Sequence, residues 1–103
     1  MTKEKLVREA YENFPEASMC LVCVKWKYDK FEFVFIDQEE NKKHTVGLAD
    51  ALRGLDLFFT AVDGGKLPGL GLPAEYKTDT GLWDASAFDA LNQFAIFGEV
   101  IYG

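Results

Sequence analysis

The stretch Met19 to Asp37, MCLVCVKWKYDKFEFVFID, constrains the fold more than any other part of the chain. It alternates bulky and charged residues around Asp29-Lys30, and only one register satisfies that pattern. With the turn centred on Asp29-Lys30, Tyr28 faces Phe31, Trp26 faces Phe33, and Val24 faces Phe35. Side chains alternate along a strand, so all six fall on one face of a β-hairpin. On the other face Lys27 meets Glu32, an opposite-charge pair, and Cys23 meets Ile36. A slip of one residue would set aromatics against charges. The second face is charged near the turn (Lys25, Lys27, Lys30, Glu32) and apolar away from it (Met19, Leu21, Cys23, Val34, Ile36). The turn end is therefore expected in solvent and the far end covered on both sides.

The elements around the hairpin follow from periodicity. Residues 3–14 predict an amphipathic helix, with Leu6, Val7, Ala10, Tyr11 and Phe14 on one face, Thr2 as N-cap and Pro15 as terminator. Residues 37–42 form a polar turn, and Lys43 to Val46 a short third strand. Residues 48–63 predict the strongest helix, with Leu48, Ala51, Leu52, Leu55, Phe58, Phe59 and Val62 at helical spacing. Gly54 in its middle costs about 1 kcal/mol against Ala, which implies close packing against another backbone. Gly64-Gly65 ends this helix. Residues 84–97 predict a third, with Asp84 as N-cap, Trp83 as a hydrophobic staple, Phe88, Leu91, Phe94 and Ala95 as its stripe, and Gly98 as C-cap. Phe94 to Phe97 is apolar all round, so this end is expected in the core or in an interface. Glu99 to Tyr102 is read as a terminal edge strand. The fold class is α+β, and residues 1–103 are read as a single domain with one core.

Composition narrows function mainly by exclusion. The net charge is −6, and the basic residues are scattered among acids rather than clustered. That disfavours nucleic acid and anionic membranes as partners. No run approaches the roughly 20 apolar residues that span a bilayer, and no apolar signal region follows the N-terminal charges. A cytoplasmic location is expected, and the two cysteines agree with a reducing compartment. Nine Phe indicate a Phe-packed interior, since Phe has no polar atom to satisfy.

Several short patterns resemble chemistry without its context. Cys20 and Cys23 form a CxxC, but inside a strand they lie about 10 Å apart on opposite faces and cannot share a metal or a disulfide. His44 has no nucleophile or acid nearby in sequence. Asp79-Thr80-Gly81 has polar residues before it and a helix start after it, which marks a turn. Gly64-Gly65-Lys66 and Gly69-Leu70-Gly71 lack the Lys-Ser/Thr and helix of a phosphate loop. Asp79, Asp84, Glu75 and Asp89 lack EF-hand spacing and read as caps and solvated charges. No cofactor, metal or catalytic residue is assigned.

The segment 64–83 (GGKLPGLGLPAEYKTDTGLW) has no helical or alternating period. Structureless loops this long are uncommon in compact domains, and Leu67, Leu70, Leu72, Tyr76, Leu82 and Trp83 are too apolar to leave in water. It is expected to be an ordered cover over the core. Leu70, Tyr76 and Trp83 are its candidate partner-binding residues, because aromatics on a shaped loop suit protein partners. The expected function is a non-enzymatic interaction or assembly module with a protein partner, itself or another, including a homodimer through the apolar end of the third helix. The alternative is a small ligand-binding domain or enzyme with its pocket under the 64–83 loop.

Overall fold

The computed structural model describes residues 2–13 and 20–102. Helix α1 (Lys3–Asn13) leads into strands β1 (Leu21–Lys27), β2 (Glu32–Asp37) and β3 (Lys42–Val46). Helix α2 (Leu48–Asp63), three short 3-10 turns (Pro68–Leu70, Ala74–Lys77, Thr80–Leu82) and helix α3 (Ala85–Phe97) follow. The strands form one antiparallel sheet in the order β1-β2-β3. This is the expected α+β class. The expected roles of Phe14, Pro15 and Met19 fall outside the described residues.

Local chemistry sets the helix ends. The Thr2 hydroxyl accepts from the Lys5 N–H at 3.1 Å, satisfying an amide that the first turn leaves unpaired. Asp84 does the same for α3, accepting from Ala87 at 2.8 Å. At the end of α2, Lys66 N–H donates to Ala61 and Gly65 N–H to Val62, the paired bonds of a Schellman motif. Gly65 sits there at φ +69°, a conformation that glycine adopts without steric cost.

The core is aromatic. Tyr11 of α1 lies at its centre, with Phe33 and Phe88 each 4.9 Å away between ring centroids and Phe31 at 5.1 Å. The Tyr11 hydroxyl donates to Asn92 Oδ1 of α3 at 2.9 Å. Burial pushes the Tyr11 pKa far up, with the Asp50 charge adding to it. Gly54 shows why α2 carries a glycine: a Cβ there would lie 2.7 Å from the Ala95 backbone nitrogen of α3. The two helices cross at backbone contact.

The hairpin keeps the expected register only near its turn. Trp26 pairs with Phe33 and Lys27 with Glu32, and the Phe31 N–H donates to the Tyr28 carbonyl across Asp29-Lys30. A bulge between Cys23 and Lys25 then shifts the pairing. Phe35 faces Cys23 rather than Val24, and Ile36 faces Val22 rather than Cys23. One extra residue reverses the alternation of everything beyond it. Leu21 and Cys23 therefore enter the core, while Val22 and Val24 face out. Phe31 adopts φ +48°, unfavourable for a bulky side chain. Its ring is buried against Tyr11 and Phe33 and lies under the Arg8 guanidinium at 5.5 Å, contacts that offset the strain.

The expected terminal strand over 99–102 is absent among the described residues. The N–H groups of Ile101 and Tyr102 go instead to the Gln93 side chain, with Gln93 Oε1 2.9 Å from each. No helix among the described residues is long and apolar enough to cross a membrane.

Candidate binding groove

The 64–83 segment is folded down onto the core by its own side chains. Tyr76 and Trp83 each keep only 4% of their surface exposed. The Trp83 indole N–H donates to the Tyr76 carbonyl at 2.7 Å, and its ring packs on Phe58 at 5.3 Å. Thr80, also buried, donates to Glu9 of α1 at 3.2 Å. Asp79 accepts from Gly81 N–H at 2.9 Å, so the Asp-Thr-Gly sequence builds a turn. Lys77 pairs with Asp63 at 2.6 Å while lying 5.4 Å above the Phe59 ring. The Tyr76 hydroxyl is buried with no hydrogen-bond partner among the described residues. Burial, with the Asp63 charge behind it, pushes that phenol up to about 12.

These positions bear directly on the three candidate contact residues. Tyr76 and Trp83 offer little surface, because their rings serve as core. Leu70 is half-buried and lines an open groove of about 430 Å³. Lys66 to Leu70 form one wall, Ala85, Ser86, Asp89 and Ala90 of α3 form the floor, and Val100 and Tyr102 close the other side. A second depression of about 400 Å³ continues toward α2, lined by Leu57, Thr60 and Ala61, and by Phe94 and Glu99 from the other side. The two share Lys66, Leu67 and Val100. Their lining is mainly aliphatic, with Lys66, Asp89 and Glu99 as its charges.

The far wall stands because polar groups hold it. Gln93, buried on α3, binds the backbone of Ile101 and Tyr102 through Oε1, and its Nε2 donates to the Tyr102 carbonyl at 3.0 Å and to Asp89 at 2.9 Å. The Tyr102 hydroxyl lies 2.8 Å and 2.9 Å from the two oxygens of Asp37 at the end of β2 and donates to that carboxylate. Asp37 also accepts from the Glu39 N–H at 2.9 Å. Burial works to raise the Asp37 pKa, but the bonds from Tyr102, Glu39 and Glu40 outweigh it and hold the carboxyl below its ordinary value. Burial, with the same bond to Asp37, pushes Tyr102 up to about 12.

Sequence reasoning passed over Gln93, Asp37 and Tyr102. The available signal was Asn92-Gln93, two amides inside the apolar stripe of α3, where a buried polar group requires a partner. The remaining sequence candidates do not converge on a reaction centre. Cys20 and Cys23 are in no disulfide, and burial pushes the Cys20 thiol up, with Glu39, Asp89 and Asp37 adding to the effect. His44 packs edge-on against Phe97 at 5.4 Å. Among the described residues no three His, Cys, Asp or Glu side chains cluster as a metal site would need. No protein family matches this chain, and neither a curated protein nor a solved structure does.

Proposed function

We propose that this chain is a non-enzymatic protein-interaction module. The groove between the 66–70 turn, α3 and the 99–102 segment takes an apolar anchor flanked by basic residues on its partner. The observation that carries this reading is the groove itself: an aliphatic channel whose lining carries Asp89 and Glu99 against the single Lys66, on a chain of net charge −6. An apolar floor supplies binding energy by desolvation. Acidic groups beside it steer and orient a cationic partner. Two cysteines in no disulfide suit the reducing cytoplasm.

Selection from a random peptide display library tests this. Enriched peptides should carry an aromatic or aliphatic residue beside Lys or Arg, and their binding should shift the backbone NMR signals of Leu67, Leu70, Ala90 and Val100. Shifts confined to another surface, or no enrichment, would overturn it. The volume also falls within the roughly 300–1,000 Å³ of small-molecule sites. A small apolar ligand that raises the melting temperature and shifts the same signals, with no peptide enriched, would favour a ligand-binding domain instead.

A further inference from the structure

Resting on the groove reading above, we propose that copies of this chain associate head to tail, the hairpin arm of one copy seating in the groove of the next. The arm has the character that the groove selects. Val24, Trp26 and Tyr28 are 52%, 42% and 41% exposed on β1 and the turn that follows it. Around them, residues 25–30 carry three lysines against one aspartate, a basic patch on an acidic chain. Neither Lys25 nor Lys27 takes part in any ion pair among the described residues. Apolar side chains with basic flanks therefore stand at one place, and an aliphatic channel with two carboxylates, Asp89 and Glu99, against one cation, Lys66, stands at another.

The two surfaces belong to opposite ends of the sheet. Tyr102, which walls the groove, is bonded to Asp37 at the last residue of β2, while Trp26 and Tyr28 lie beside the turn before its first residue, Glu32. At about 3.3 Å per residue the strand holds them well apart, and a paired hairpin cannot fold back onto its own groove. The contact must come from a second copy, and it is heterologous, using different patches on the two partners. Strand-to-strand pairing through β1 is disfavoured by its edge lysines and by the bulge between Cys23 and Lys25, both of which blunt an edge. That leaves docking by side chains, for which Trp and Tyr are the most effective anchors.

Sedimentation velocity on the full chain, from about 10 μM to about 1 mM, covers the range of weak association. The average mass should rise with concentration, and added salt should lower it. An arm variant, Trp26→Ser with Lys27→Glu, and a groove variant, Leu70→Glu, should each remain monomeric while keeping the far-UV spectrum of the parent. Mixed in equal amounts, they should form a one-to-one heterodimer and stop there, since one intact arm meets one intact groove. A parent chain that stays monomeric at the highest concentration overturns the proposal, as does a mixture that stays monomeric. Association that needs Trp26 but tolerates Leu70→Glu also overturns it and indicates arm-to-arm pairing. A monomeric parent that still binds apolar–basic peptides in the groove leaves the interaction module standing with a different protein as partner. Loss of both removes both readings.

Discussion

The hairpin arm and the 64–83 segment invert the usual relation between regular structure and burial. The arm is built on a hairpin ladder, bulged at Val24, yet Val24, Trp26 and Tyr28 each leave more than a third of their surface exposed. The 64–83 segment has only three short 3-10 turns, yet Tyr76, Thr80 and Trp83 are buried. Backbone hydrogen bonding and apolar burial are separate requirements. A ladder satisfies the backbone whatever its side chains face. A segment without a ladder stays ordered only if its side chains are inside, which is why the irregular segment holds its aromatics in and the regular one can show them.

Substitutions can break that contrast, most severely at Trp83. Trp83→Ala removes a buried ring and leaves the Tyr76 carbonyl without its donor, so denaturant unfolding should show a loss of about 3–5 kcal/mol. A loss below 1 kcal/mol would mean that the segment does not depend on this ring. Gly54→Ala should cost about 1–3 kcal/mol through its clash with the Ala95 backbone, despite the better helix propensity of Ala. An unchanged melting temperature there would mean that α2 and α3 can separate at no cost. Gln93→Ala should cost about 1–3 kcal/mol, the scale of part-buried backbone groups left without partners. It should also speed amide exchange at Ile101 and Tyr102 while sparing Trp83, and equal effects at both places would mean that the two regions unfold as one unit.

Smaller effects sharpen the comparison. Trp26→Ala, on the exposed arm, should change stability by less than about 1 kcal/mol, and a loss like that at Trp83 would erase the distinction between the regions. The pH dependence has a definite sign. Tyr102 and Tyr76 hold their protons more tightly folded than unfolded, so their contribution is full below about 10, the unfolded value. It should fall away as pH rises toward about 12. Tyr102→Phe should remove part of that alkaline slope. Asp37, held below its ordinary value, contributes above the unfolded carboxyl range and loses that contribution only in stronger acid. Tyr102→Phe should therefore flatten the acid limb as well, and unchanged limbs at both ends in that variant would show that the Tyr102–Asp37 bond carries no linkage.

Much of this was legible in the residues. Periodicity located the three α-helices found among the described residues, Asp84 and Gly98 marked the ends of α3, and Gly54 announced the close crossing with α2. The bulge was not legible, because its cause is which of Cys23 and Val24 the finished core accommodates. Neither was the burial of Tyr76 and Trp83 as against the half-burial of Leu70, since an aperiodic segment carries no signal for which way each side chain turns. The expected strand at 99–102 failed for a related reason. Its β-branched residues suit a ladder, but Gln93 reaches its backbone amides first.

By itself the sequence determined the local structure: helix faces, caps, the turn at Asp29-Lys30 and the pairing beside it. Those depend on interactions within a few residues or across one short turn, and composition expresses them directly. Tertiary structure alone decided the groove. Its walls come from residues 66–70, α3 and 99–102, and Gln93, Tyr102 and Asp37 hold the last of these in place. Asp37 and Tyr102 are far apart along the chain, and only a folded core brings a carboxylate and a phenol to hydrogen-bond distance.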